Sequence, residues 1–192
     1  KPYISMALTP MVLTGRLIKK QKPDAKVVFI GPCAAKKLEA SRKSVRSDVD
    51  FVLTFEEVMG MFEAKGINLP QVEADAPFEE GTANGRGFAV SGGVANAVKQ
   101  CIQKEHPDKE VLIDSAEGLK NCRTMLMMAK AGKRNGYLLE GMACPGGCVA
   151  GAGTLQPVIK SSALVKKYTN DAEKKLAFES EYLDNLDLLT KE

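Results

Sequence analysis

The chain has 192 residues, of which 44% are hydrophobic and 27% charged, with a net charge of +3. That length supports one sizeable core or two small lobes, and the composition is that of an ordinary globular protein. The slight positive excess carries no stripe of Lys and Arg interleaved with aromatics, which argues against a nucleic-acid partner, and no apolar run reaches the ~18 to 20 residues of a membrane span.

No signal peptide is visible, and the first residue is Lys rather than Met. The sequence therefore reads as a piece cut from a longer, cytoplasmic chain. Five cysteines, an odd number, argue against a disulfide framework. There is a single histidine, His106, so any metal site here is built on thiolates rather than imidazoles.

In chain order, residues 11–20 predict a helix that ends before Lys22-Pro23-Asp24. The apolar run 26–32, closed by Gly31-Pro32, predicts a buried parallel strand. A second strand is expected at 50–54. Thr54 with Glu57 three residues on forms a capping-box pattern, so a helix should follow to about residue 65, before Gly66. Residues 68–87 mix Pro, Gly, Asp and Glu without a period and predict a long loop. A helix is expected from Ser91-Gly92-Gly93 to about residue 104, a short strand at 111–113, a helix over 118–131 and a strand at 137–142. Residues 162–189 predict an amphipathic helix.

This alternation predicts an α/β fold: two lobes with mainly parallel β-sheets flanked by helices. V-F-I-G-P-C and Y-L-L-E-G-M-A-C each run a strand into a turn that ends at a cysteine. Sites in open parallel sheets form beyond the carboxyl ends of strands. The two strand ends can therefore bring Cys33 together with Cys144 and Cys148, placing a metal-cluster site between the lobes.

The cysteines divide by context. Cys101, with Ala97 and Val98, and Cys122, with Leu119 and Leu126, sit at helical apolar spacing and read as small packing residues. Cys33 follows Gly-Pro where a helix would begin, with Lys36 and Lys37 close by, a setting that stabilises a thiolate. Cys144 and Cys148 lie in C-P-G-G-C, which is longer than a C-x-x-C redox motif and is not a zinc-knuckle spacing. The glycines leave bare backbone that something bulky can approach, and free amides there could hydrogen-bond cluster sulfides. A 4Fe–4S cluster normally takes four thiolates, and only three are well placed. A fourth ligand would come from upstream sequence, a partner or a non-cysteine group.

These two cysteine segments resemble the iron-only (di-iron) hydrogenases. The second family motif, P-C-x-x-K-x-x-E, reads Pro32-Cys33-Ala34-Ala35-Lys36-Lys37-Leu38-Glu39. The third, M-A-C-x-G-G-C followed by glycines and Gln-Pro, reads Met142-Ala143-Cys144-Pro145-Gly146-Gly147-Cys148, then Gly151, Gly153, Gln156 and Pro157. The first, T-S-C-C-P, is absent, as are ferredoxin-like domains. The resemblance covers nearly the whole of 1–192, read as a partial H-cluster domain lacking its first cysteine motif.

The resemblance implies a parent that reversibly interconverts dihydrogen with protons and electrons. It implies that Cys33, Cys144 and Cys148 bind the 4Fe–4S part of the H-cluster and that Cys148 bridges to a di-iron unit bearing carbonyl, cyanide and a dithiolate. Lys36 would donate a hydrogen bond to a cyanide, Met142 would pack beside the di-iron unit, and Glu39 would pair within the site. Ser5 matches a serine of the proton path, and Pro32, Phe88 and Ala89 would line the cofactor pocket. Implied partners are ferredoxin or fused iron–sulfur domains and the maturation proteins of the di-iron unit. On its own, and short of one ligand, the chain is expected to be inactive and without the H-cluster.

Gly31 stands where efficient catalytic members have Met, Met11 where Gln is frequent, and G-A-G-T-L-Q-P is longer than the usual G-G-G-Q-P. These departures resemble a divergent, sensory branch. A non-catalytic iron–sulfur assembly factor of the same family is the remaining alternative. A thiol redox protein is disfavoured by the lack of C-x-x-C.

Overall fold

The computed structural model describes residues 3–46, 48–73 and 81–190. Residues 74–80, in the middle of the expected 68–87 loop, lie outside the described residues.

The first lobe starts with α1 (Pro10–Gln21). Proline opens it, which suits a position whose N–H has no helical partner, and Lys19 and Lys20 sit in its last turn, where the helix dipole favours cations. Next come β1 (Val28–Gly31), the short α2 (Ala35–Ala40), β2 (Phe51–Thr54) and α3 (Phe55–Ala64). β1 and β2 pair in parallel, from Val28 opposite Phe51 to Gly31 opposite Thr54. The core of this lobe is Met11, Val12, Val45, Val49 and Val52, with Phe29 and Ala40 packed against it. Gly15 permits that packing, since a Cβ there would lie 2.8 Å from the Asp48 carbonyl oxygen. The capping box forms as its spacing predicts: the Glu57 N–H donates to Thr54 Oγ1 (3.2 Å) and the Thr54 N–H to Glu57 Oε2 (2.8 Å).

The second lobe holds α4 (Ala83–Gly87), α5 (Gly93–Glu105), β3 (Leu112–Glu117), α6 (Leu119–Lys130), β4 (Tyr137–Met142) and α7 (Val158–Asn170). β3 and β4 are again parallel, from Leu112 opposite Tyr137 to Glu117 opposite Met142. Glu140 points from β4 onto the start of α5 and is only 8% exposed. Its two carboxylate oxygens accept the N–H groups of Gly92 (2.6 Å) and Ala95 (3.2 Å). A buried carboxyl group is tolerated there because its oxygens satisfy amides at the positive end of a helix. α8 (Asp187–Thr190) brings the tail back against α1.

The fold is thus α/β with parallel strands in two sheets, as the alternation predicts; β1, expected to be buried, is half open, and three segments differ from expectation in extent. α4 lies inside the predicted loop. A-N-G-R-G has low helix propensity, but Thr82 caps it (Gly85 N–H to Oγ1, 3.1 Å) and buried Asn84 ties it to Gln100 and to the Ala177 N–H. β3 runs on to Glu117 through polar residues because β4 offers a partner along that length. The single helix expected over 162–189 is broken. α7 begins earlier and stops at Asn170, and the chain then turns where Glu179 accepts the N–H groups of Lys175 (2.7 Å) and Leu176 (2.8 Å).

Among the described residues each sheet has two strands, and the apolar faces are thinly covered. Val28, Ile30 and Phe51 are 46%, 50% and 59% exposed. The total accessible surface is 13804 Å², whereas a compact globule of this mass has about 9,000 Å². Among the described residues no helix is long and apolar enough to cross a membrane.

Candidate functional site

Both lobes end a strand at a cysteine turn, and the turns meet. Cys33 follows β1 by two residues, and its carbonyl accepts the Lys36 N–H (3.2 Å) as the chain enters α2. Cys144 follows β4 by two residues, and Cys148 opens a 3₁₀ turn (Cys148–Ala150). All three thiols are free and half-buried. Burial pushes the Cys148 thiol up, the Cys33 thiol adds to that, the Lys36 ammonium opposes it, and Cys144 again adds. The four groups therefore share one electrostatic space. Among the described residues no three His, Cys, Asp or Glu side chains gather closely enough to hold a single metal ion. A multi-iron cluster makes a different demand, because each thiolate binds its own iron and the sulfurs stand wider apart.

The glycines around the second turn serve a purpose other than the expected open approach. A Cβ on Gly147 would sit 2.6 Å from the Ser91 nitrogen, one on Gly151 2.3 Å from the Pro32 oxygen, and one on Gly153 2.3 Å from Thr54 Cβ. They let the backbone after Cys144 press against the neighbouring segments. The joining bonds are Gly153 N–H to Pro32 O (3.0 Å), Glu56 N–H to Gly153 O (3.3 Å) and Val149 N–H to Ala89 O (3.0 Å). Nor are these amides free for cluster sulfides. Gly146 donates to Glu117 Oε2 (2.7 Å), Gly147 to Cys144 O (3.0 Å), Ala150 to Gly147 O (3.1 Å) and Gly151 to Cys148 O (2.9 Å).

Lys36 and Glu39 form an ion pair at 2.5 Å, each side chain about one-fifth exposed (23% and 20%). The second oxygen of Glu39 accepts a short hydrogen bond from the Thr9 hydroxyl. Burial alone would raise the Glu39 carboxyl, but the hydrogen bonds from Lys36 and Thr9, with the charges of Lys36 and Arg42, outweigh it and hold it below its ordinary range. Lys37 turns the other way, to Glu57 (2.8 Å) and the Val52 carbonyl (3.0 Å), which leaves Lys36 to face the thiols.

The remaining predicted residues fall into two groups. Pro32 and Ala89 line an apolar cleft of about 360 Å³ with Phe55, Val149, Leu155 and Leu164. Met142 ends β4, half-buried, and its carbonyl accepts from Gly118 N–H (2.8 Å) and from the Cys122 thiol (3.5 Å). Phe88 closes α4 and is not among the residues lining that cleft. Ser5 lies on an exposed stretch, where its Oγ accepts the Ala7 N–H (3.2 Å). Among the described residues no hydrogen bond joins it to Lys36, Glu39 or the cysteines. Cys122 and Cys101 are half-buried, and the Cys122 thiol also donates to Ala116 O (3.4 Å).

Three contributors escape a reading of the sequence. Thr9 looks like an N-cap before Pro10, yet its hydroxyl serves Glu39 and caps nothing. Glu117 and Glu140 hold the second turn and its support, and the one local signal is a charge inside the apolar strand Y-L-L-E-G-M.

Residues 1–152 match the family model described as the iron only hydrogenase large subunit, C-terminal domain. The chain belongs to that family. It is 31% identical over 199 residues to the periplasmic Fe hydrogenase large subunit of Nitratidesulfovibrio vulgaris, covering 82% of this chain and 47% of the relative. It is 31% identical to the NADP-reducing hydrogenase subunit HndD of Solidesulfovibrio fructosivorans, covering 90% and 37%. It is also 30% identical to cytosolic iron-sulfur assembly component 3 of Pongo abelii, covering 81% and 42%. The chain thus spans less than half the length of these relatives. In structure it is similar to a variant of the FeFe-hydrogenase HydA1 from Chlamydomonas reinhardtii, with a TM-score of 0.70 at 20% identity over 96% of this chain and 65% of that one. Likeness at that identity shows the shared fold.

Proposed function

We propose that this chain is the cluster-binding part of an iron-only hydrogenase whose parent interconverts dihydrogen with protons and electrons. The observation that carries the proposal is the meeting of the two cysteine turns, where the Gly153 N–H donates to Pro32 O (3.0 Å) and bare Gly151 packs on the same carbonyl, next to Cys33. The donor set fits an iron–sulfur cluster: three thiols with no imidazole or carboxylate among them, at a junction closed by glycines. Cys33, Cys144 and Cys148 would hold three corners of a 4Fe–4S cluster, and the fourth would be held from outside this set.

With its di-iron partner bound, the cluster supplies the redox chemistry on dihydrogen. The chain's own residues bind and orient. Glu39 and Thr9 fix the Lys36 ammonium toward the thiols, so that it meets an anionic ligand there without reorganising. Pro32 and Val149, each next in the chain to a cysteine, line an apolar cleft with Ala89. Met142 packs at the end of β4. Ser5 would serve a proton path only if the stretch before α1 moved inward. A ferredoxin-type donor or fused iron–sulfur domains would carry electrons, maturation proteins would deliver the di-iron unit, and a reducing cytoplasm suits the free thiols.

One observation favours a second reading, a slow sensor or a cluster-assembly protein. A Cβ on Gly31 would lie 2.8 Å from Phe29 Cε1, so the Phe29 ring occupies the place where a larger residue would otherwise project. The deciding experiment matures the parent protein anaerobically with the di-iron cofactor. It measures dihydrogen evolution with reduced viologen alongside the infrared bands of carbonyl and cyanide. Bands with fast turnover, lost in Lys36→Ala, are the expected result. Bands with little turnover would support the sensor, and no bands at all would support the assembly protein.

A further inference from the structure

We propose that Glu117 is a positioning residue that fixes the turn between Cys144 and Cys148 and lowers the reduction potential of the cluster they hold. The proposal rests on the three-thiolate reading above for its second half only.

Glu117 ends β3 opposite Met142 in the parallel register. Gly118, with φ of 77°, then turns away and donates its N–H to Met142 O (2.8 Å), which locks the two strand ends together. From there the Glu117 side chain reaches the middle of C-P-G-G-C, where Oε2 accepts the Gly146 N–H at 2.7 Å. The Gly146 carbonyl in turn accepts the Ser91 N–H (3.3 Å). The next amide, Gly92, is bound to buried Glu140 (2.6 Å). Gly146, whose φ of 94° already departs from the usual range, is therefore gripped on both sides by groups from β3 and from the start of α5.

Two effects follow from where this carboxylate sits. A charged acceptor makes a stronger bond than a neutral one, so the spacing of the two thiols on the turn is set by Glu117 as well as by the glycines. Amides that point at cluster sulfurs and the net charge around a cluster both tune its potential. Here a glycine amide two residues from each cysteine is given to a carboxylate, which puts an acidic group on the turn that joins the two thiols. Both changes disfavour adding an electron.

The test uses the whole chain and the variants Glu117→Gln and Glu117→Ala, with thermal unfolding to confirm that each is folded. In the cluster-free chain, hydrogen exchange at the Gly146 amide should quicken about tenfold or more in the alanine variant and less in the glutamine variant, which keeps an acceptor. After anaerobic reconstitution with ferric iron, sulfide and a small thiol, which reduces part of the iron and fills the fourth corner, the potential should move upward in both variants, because both lose the charge. Unchanged exchange at Gly146 in folded Glu117→Ala overturns the positioning claim. A potential that stays or falls in folded Glu117→Gln overturns the tuning claim. A wild-type chain that takes up no cluster sinks the thiolate reading and the tuning claim with it, while the exchange result still decides the hydrogen bond.

Discussion

The two lobes deliver cysteines from equivalent places by different means. The turn at Cys33 is held by side-chain charge: Lys36 with Glu39, Thr9 on the same carboxylate, and Lys37 with Glu57. The turn at Cys144 and Cys148 is held by backbone shape: Gly146 and Gly147 both at φ of 94°, and amides that close onto carbonyls or onto Glu117. The first lobe also owns a contiguous apolar cluster around Val49 and Val52, whereas the buried apolar residues of the second are mainly small or scattered, such as Ala95, Ala97 and Val111. A charged turn can relax when a partner is lost, because side chains have alternative rotamers and water. A turn built on close backbone contact cannot. The same residue type is thus held softly on one side of the junction and rigidly on the other.

The sharpest way to break that contrast is to add one methyl group at the junction. Gly151→Ala would drive a Cβ to 2.3 Å from the Pro32 oxygen, with the Cys148 oxygen at 3.1 Å, and both are backbone atoms that cannot swing aside. We expect a loss of about 2–4 kcal/mol, read as a lower urea midpoint, with the hydrogen bond from Gly153 N–H to Pro32 O weakened. If Gly151→Ala unfolds at the same urea concentration as the wild type, the rigid half of the comparison is wrong.

A smaller effect is expected at Thr54, where the two kinds of support meet. Its hydroxyl caps α3 through Glu57, and its Cβ faces Gly153. Thr54→Ala removes the cap while keeping the Cβ contact and should cost about 1–2 kcal/mol. Thr54→Ser should recover most of it. Equal losses in both variants would mean that the methyl packing, and not the cap, is what matters.

The contrast also explains what was legible in the sequence. The end of β4 at Met142, the capping box at Thr54 and the pairing of strand with cysteine turn all follow from signals within a few residues. α4 and the break after Asn170 depend on distant acceptors, so no local pattern announces them. At the site, Cys33, Lys36, Cys144 and Cys148 carry recognisable spacing. Thr9, Glu117 and Glu140 act on partners 30, 29 and 48 residues away. The glycines were visible but their purpose was not. The same string serves an open approach or a tight junction, and only the neighbouring backbone distinguishes the two.

Gly60 supplies a glycine of the opposite kind. It lies inside α3 with nothing within 4 Å of an added Cβ. Gly60→Ala should stabilise the chain by about 0.5–1 kcal/mol, through helix propensity and a less free unfolded chain. A loss of stability there would show that α3 faces something that the present surface leaves open.

The smallest predicted effect probes the soft half directly. Asp50 opens β2 and is pulled down from 3.8 to about 2, first by the hydrogen bond from Lys19 and next by that from the Val27 N–H, with Lys26 adding charge. Glu39 and Glu57 are held below their ordinary range in the same lobe. A carboxyl whose folded value is depressed lends stability above its unfolded value and loses it as the pH falls through the folded one. The contribution of Asp50 should therefore be intact above pH 3.8 and fade toward about 2. Asp50→Asn should flatten the pH dependence across that window and leave the chain slightly less stable above it. Residue-resolved hydrogen exchange would show which lobe responds. Protection should fall first at β1 and β2, while β3 and β4, whose cysteine turn rests on backbone contacts, should keep theirs. Equal loss in both pairs of strands would mean that the lobes are coupled more tightly than their separate sheets imply, and that the charged turn is no softer than the glycine one.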